Sequence, residues 1–336
     1  MLKRWQLWLG AVISAFFLTI ALRGLHLRDV WQEIQTANYI WIVPGIAVYF
    51  FAVWARVWRW HYLLRNLKHI PLKSMWPAVV IGYMGNNVYP FRAGEVIRAY
   101  ILKRKENVSI GASLATVLVE RIFDGLVMLI FVLVALPTVP DLPDWLRQTV
   151  IYASGAFGGA LLVLVIWAIK PTILQVIYTE LINRFLPSKV QLPLIRLADN
   201  FTKGLSSLSS FKDVLMVFIT SIVIWLLETV KYWFVTYAFS FAVSFFTLML
   251  MNGVVNLATT IPSAPGYIGT FDGPGIEVLK VFGVDAKIAA AYTLTLHAAL
   301  WLPITLLGFW YMAKEELSWQ EFSQAAEQKQ NKKSYE

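Results

Sequence analysis

The sequence predicts an all-α polytopic integral membrane protein: about six full transmembrane helices plus two re-entrant helical hairpins in an inverted repeat. Composition comes first, because 58% hydrophobic and only 15% charged residues in a chain of 336 lie outside the range of soluble domains. Second, several apolar runs approach or exceed the roughly 20 residues that a helix needs to cross a hydrocarbon core about 30 Å thick. Third, two further apolar segments end in helix breakers and read as entering the membrane without crossing it. Several of the fifteen tryptophans, Trp5, Trp41, Trp145, Trp301 and Trp310 among them, stand near the ends of apolar runs, as aromatic belts do.

In chain order the crossings fall at about 5–22, 40–58, 109–136, 148–169, 213–239 and 286–313, with the shorter segments near 75–90 and 245–262. The first run is long for a signal peptide and has no small-residue cleavage site before Arg23, so it reads as a spanning helix. Pro44-Gly45 in the second run reads as a kink. Basic residues set the orientation. Lys3, Arg4, Arg59, Arg65, Lys68, Lys73, Lys103, Arg104 and Lys105 fall on one side, with six more between Lys170 and Lys212 and four between Lys314 and Lys333. Arg23, Arg28, Arg147 and the turn Asp141-Leu-Pro-Asp144 fall on the other. Both termini are therefore expected in the cytoplasm, with the protein in the cell membrane. That assignment requires residues 75–105 to return to the side they came from. Between crossings, Ile173, Leu174, Ile177, Leu181 and Ile182 recur at helical spacing and a second such piece follows Pro193, so about 171–212 reads as cytoplasmic interfacial helices. The organisation expected is one membrane domain, 1–313, with repeats at about 75–136 and 245–313, and a charged cytoplasmic tail, 314–336.

The formal net charge of +9 is accounted for by cytoplasmic loops and calls for no nucleic-acid partner; it favours membrane lipids with anionic headgroups. With no cysteine and four scattered histidines, no metal site and no cofactor is expected. Pairing as a homodimer stays open.

The informative stretch is GNNVYPFRAGE, residues 85–95. Asn86, Asn87 and Pro90 are expected to break a helix at membrane depth, where open backbone survives only if enclosed by protein or beside water. Arg92, Glu95 and Arg98 then recur every three residues along an expected return helix, 91–103, and Gly94 allows a close approach. A second tip lies between Asn256 and Asp272, with Pro262, Pro265, Gly266 and Gly269. Each tip is followed by a short return helix and a long spanning one. Three full crossings separate them, so the second hairpin enters from the opposite face, the plan of transporters whose sites sit near mid-bilayer. Charges at mid-membrane agree: Glu120, Arg121 and Asp124 share one sector of a helix, and Glu228 can pair with Lys231 three residues on. They read either as a self-neutralising network or as the lining of a polar path. Arg92, Arg98 and Arg121 are the candidate phosphate contacts. His297 reads as a packed residue.

The stretches GNNVYPFRAGEVIRAYIL, SLATVLVERIFDGLVMLIF and IPSAPGYIGTFD resemble, in order and spacing, the flippase-like membrane domain of lysylphosphatidylglycerol synthases, over about residues 5–313. The resemblance implies a domain that moves lipids between leaflets. In bifunctional members a separate cytoplasmic domain adds lysine from lysyl-tRNA to phosphatidylglycerol, and that activity is not inferred here. By motif the resemblance marks Asn87, Pro90, Arg92, Gly94, Glu95 and Arg98, then Glu120, Arg121 and Asp124, then Pro262, Pro265, Gly266, Gly269 and Asp272. The expected function is translocation of a phospholipid or polyprenyl-phosphate-linked lipid. An intramembrane lipid transferase or hydrolase, using the same carboxylates, and an ion-coupled small-solute transporter are the alternatives.

Overall fold

The computed structural model describes residues 4–89, 92–138, 170–204, 210–261 and 263–317, with Leu208 and scattered residues between 148 and 169. The expected crossing at 148–169, the 141–144 turn, Pro90, Pro262 and most of the tail lie wholly or partly outside those residues. The described residues form helices and no strand: α1 Arg4–Leu22, α2 Leu27–Thr36, α3 Ile42–Leu64, α4 Leu72–Val88, α5 Gly94–Glu106 and α6 Ile110–Ala135. Then follow α7 Pro171–Phe185, α8 Ser188–Gly204, α9 Phe211–Thr236, α10 Phe245–Ala258, α11 Asp272–Val281 and α12 Ala286–Lys314. Side-chain caps start several of them, Ser109 on α6, Ser210 on α9, Ser244 on α10 and Asp285 on α12, each accepting from a backbone N–H of the first turn.

By length and apolarity three helices can cross a bilayer outright: Tyr39–Leu64, Phe211–Thr236 and Ala286–Lys314. Helix α6 has 26 residues but carries Glu120, Arg121 and Asp124 halfway along. Helix α1 has 19 and bends by 83° into α2. Solvent preference is inverted relative to a soluble protein. Phe51 and Trp54 on α3, Ile219 and Val223 on α9, and Leu302 and Leu306 on α12 face outward, while Arg59, Glu120 and Asp124 are each only 1% exposed. Such a surface suits hydrocarbon as the solvent.

Several boundaries differ from the sequence expectation. Helix α3 runs six residues past 58, and Pro44 sits in its first turn, where a missing N–H costs nothing, so it makes no mid-helix kink. Gly45 instead lets α3 cross α9: a Cβ there would meet Val235 at 3.1 Å and the Lys231 carbonyl at 3.4 Å. Asn86 and Asn87 do not break α4, which continues to Val88, and α5 starts at Gly94 rather than 91. Helix α8 starts at Ser188 and contains Pro193 instead of following it. Along α7, Ile173, Ile177 and Leu181 are exposed as one apolar stripe, and α8 packs on α6.

Helices α4 and α5 fold back on each other as a tight hairpin. At its base Lys68 Nζ contacts Glu106 Oε2 at 2.9 Å; near its tip Asn86 Oδ1 accepts from the Gly94 N–H at 2.9 Å. Between them the backbones nearly touch, since a Cβ on Gly94 would lie 1.7 Å from the Gly82 carbonyl oxygen. Helices α10 and α11 form the second hairpin, with Gly275 against Met251 and Val255. The two enter from opposite ends of α12, whose 29 residues span about 43 Å at ~1.5 Å each. Lys105, at the base of the first hairpin, pairs with Glu315 past the C-terminal end of α12. The second hairpin joins the N-terminal end through residues 282–285, where Lys287 meets Glu33 at 3.1 Å. The tips therefore converge beside the middle of α12.

Packing is exchanged between the two halves. Helix α4 rests on α12, the closing helix of the second half, with Gly308 against Met84; α10 rests on α6, with Gly253 against Met128 and Val132. A glycine at each contact admits the neighbouring chain, as between membrane helices generally.

Candidate functional site at the hairpin tips

A cavity of about 150 Å³ occupies the junction of the tips with α3, α9 and α12, some ten times the roughly 10–15 Å³ that one water needs by the same measure. Arg92 crosses it from the first tip. Its backbone is left-handed (φ 52°), one of four non-glycine residues so placed among the described residues, and its Nη2 lies 3.3 Å from both the carbonyl and the hydroxyl of Thr259 on the second tip. Its guanidinium stands 5.5 Å from the centre of the Tyr267 ring. Asn87 Nδ2 donates to Thr305 Oγ1 at 2.7 Å and thereby fixes the first tip to α12. On the second tip Gly266 (φ 72°) lies against the Trp301 indole, where a Cβ would come within 2.6 Å of Nε1.

Charged side chains line and back this cavity in two groups. In the first, Arg59 grips Asp124 through both terminal nitrogens, at 2.6 and 3.2 Å, donates to Ser221 Oγ at 2.6 Å and stands 3.7 Å from Glu120. Asp124 also accepts from the Trp225 indole at 2.9 Å, and Glu120 pairs with Arg98. Arg121 is held more loosely, 3.5 Å from Glu95 and 3.4 Å from Asp124; Arg92 is 3.8 Å from Glu95. In the second group Glu228 takes both Arg56 and Lys231. Each such charge alone costs about 2.5–3.5 kcal/mol to insert, so pairing is what makes the cluster tenable.

Of the residues that the sequence marks for binding, Asn87, Arg92, Glu95, Arg98 and Arg121 line the cavity, as do Gly94 and Gly266; Glu120 and Asp124 stand behind it, clamping arginines. Asp272 is committed elsewhere. One oxygen accepts from the Gly269 N–H at 2.8 Å and the other meets His297 Nδ1 at 2.7 Å. His297 Nε2 points at the Gly266 carbonyl, also at 2.7 Å, and the ring stacks on Phe271 at 4.4 Å. Both ring nitrogens thus face oxygen atoms of the second tip. This histidine is the latch of the second tip as well as a packed residue, and it lines the cavity. Pro265 lies beside it in a single short turn, Pro265–Tyr267.

Two residues of the cluster escape the sequence reading. Arg59 counts there among the loop cations and Arg56 goes unremarked, yet both lie inside α3, facing Asp124 and Glu228. Their spacing of three within an aromatic-rich turn is the one local sign of an inward-facing pair. Among the described residues no group of three His, Cys, Asp or Glu side chains is placed to hold a metal ion.

Comparison with known proteins agrees with this architecture. A family model described as the lysylphosphatidylglycerol synthase transmembrane region matches residues 7–308. A UPF0104 membrane protein of Methanothermobacter thermautotrophicus is 25% identical, the match covering 82% of this chain and 84% of that protein. A UPF0104 membrane protein of Methanocaldococcus jannaschii is 21% identical over 89% of this chain and 91% of its own length. The glycosyltransferase AglD of Haloferax volcanii is 24% identical over 80% of this chain but only 47% of its own length.

Proposed function

Since this integral membrane chain belongs to the family of lysylphosphatidylglycerol synthase transmembrane regions, we propose that it is a lipid translocase, carrying a polar headgroup between leaflets through the cavity at the hairpin tips. The reading rests chiefly on one observation. An arginine-rich cavity lies where two oppositely directed hairpins meet, in a molecule whose outer surface is apolar. A headgroup in that cavity trades water for guanidinium and amide donors, while its acyl chains stay against hydrocarbon. Glu120 and Asp124 keep Arg98 and Arg59 aimed, and Arg92 ties the tips together. In this reading the protein sits in the cell membrane with both termini in the cytoplasm, as the loop charges favour. The AglD relative is matched over less than half its length, so its named transfer chemistry is not carried over.

The test is headgroup exchange in liposomes holding the purified protein and fluorescent lipids, read by quenching from outside. The intact protein should accelerate exchange. Arg92→Ala, still folded by size exclusion and thermal melt, should slow it about tenfold, the equivalent of one charged hydrogen bond worth about 1.5 kcal/mol. No acceleration with anionic, zwitterionic or polyprenyl-phosphate lipids would sink the reading.

A further inference from the structure

A second recess lies away from the hairpin tips, where α3, α4 and the end of α12 come together. It holds about 390 Å³. Trp54 of α3, Trp76 of α4 and Tyr311 of α12 wall it, with Lys73, Lys314 and Glu315 among its charged lining. The aromatic and the charged residues reach different depths. Helix α12 ends at Lys314 and α4 begins at Leu72, so the two lysines stand where helices leave the bilayer. Trp54 lies ten residues before Leu64, the end of α3, and so about 15 Å deeper at ~1.5 Å each. Its ring is half exposed on the outer surface, which opens the recess to hydrocarbon as well as to water.

The charge at the shallow end is not cancelled from within. Glu315 is engaged by Lys105 from the base of the first hairpin. Lys314 Nζ rests on the Trp310 ring, 4.9 Å from its centre, and neither it nor Lys73 is paired with a carboxylate among the described residues. A basic recess between helices at the membrane boundary takes an anionic headgroup, and tryptophan and tyrosine walls below it take the glycerol and upper acyl chain. A soluble partner could reach the lysines but not the wall at Trp54.

We propose that this recess binds one anionic glycerophospholipid, its phosphate at Lys73 and Lys314 and an acyl chain along Trp54 and Trp76. Since α4 is the leading arm of the first hairpin and α12 its seat, the bound lipid fastens that hairpin to the rest of the fold. The site is separate from the hairpin-tip cavity and does not depend on translocation.

The experiment measures lipid binding by native mass spectrometry of the delipidated protein in a neutral detergent, with phosphatidylglycerol and phosphatidylcholine of the same acyl chains as probes. Phosphatidylglycerol should be held about tenfold more tightly. Lys73→Gln with Lys314→Gln should cut that preference to about twofold, and Lys73→Gln alone should leave it in between. Lys103→Gln with Lys212→Gln removes two exposed lysines at the same membrane boundary but outside the recess, and should keep the preference. Arg92→Ala, in the hairpin-tip cavity, should keep it too. Phosphatidylglycerol should raise the melting temperature of the intact protein and not that of the Lys73, Lys314 double variant, the two melting alike without lipid. A photoactivatable phosphatidylglycerol should label peptides containing Trp54 or Trp76. Equal affinity for the two lipids, equal losses from the two lysine pairs, loss of the preference in Arg92→Ala, or label confined to residues of the tip cavity overturns the proposal. Displacement of the lipid by millimolar inorganic phosphate would make this an ion site and overturns it as well.

Discussion

Gly94 decides whether the first hairpin closes. With the Gly82 carbonyl oxygen 1.7 Å from where its Cβ would be, even alanine must push two backbones apart. Gly94→Ala should cost about 3 kcal/mol or more, at or above the upper end of ordinary overpacking, and lower the melting temperature in detergent; an unchanged melt would mean that the hairpin is looser than described. Arg59 poses a different problem. Arg59→Met leaves Asp124 and Glu120 short of their partner in the interior, a loss of about 3–5 kcal/mol. Adding Asp124→Leu should restore part of that stability, and a double variant as unstable as both losses summed would argue against the pairing. At this scale the site was half legible. Arg92, Glu95, Arg98 and Arg121 announce themselves by interrupting apolar sequence. Arg56 and Arg59 do not, because cations near the end of an apolar run look the same whether they face the cytoplasm or a buried carboxylate. His297 gives no local sign either, since its partners Asp272 and Gly266 come from another element.

Between elements, the distinctive contact is tip against tip. The chain has no cysteine, so pairs can be introduced without background. Arg92→Cys with Thr259→Cys should be joined by a short bifunctional thiol reagent, whereas Lys105→Cys with Thr259→Cys should not, Lys105 lying at the hairpin base. Equal yields from the two pairs would contradict the arrangement. The hairpins themselves were legible because prolines, glycines and amides cluster after apolar segments too short to cross. Their boundaries were not. Asn86 and Asn87 look like breakers, yet Asn86 stays helical and spends its side chain on the Gly94 N–H across the turn. Local propensity says nothing of a donor eight residues away that needs an acceptor. Helix α8 likewise runs through Pro193 on the strength of packing against α6.

For the molecule as a whole, the ends of α12 define the two sides. Lys105→Cys and Lys287→Cys, introduced singly, should react with a membrane-impermeant maleimide from opposite faces of intact cells, Lys105 only after the cytoplasm is opened. Labelling of both from the same face would require the first hairpin to cross. The overall architecture was readable from charge bias and run length, because both express the cost of moving ions through hydrocarbon. The exchange of closing helices was not, since it depends on which glycine admits which neighbour. That exchange bears on how the chain is made. Met84 finds its seat on Gly308, and Arg56 its counter-ion Glu228, 172 residues further on, only when those later segments have left the ribosome. Until then Arg56 and the groove beside Met84 are without the partners they have in the finished fold, whereas Arg59 and Arg98 already have Asp124 and Glu120.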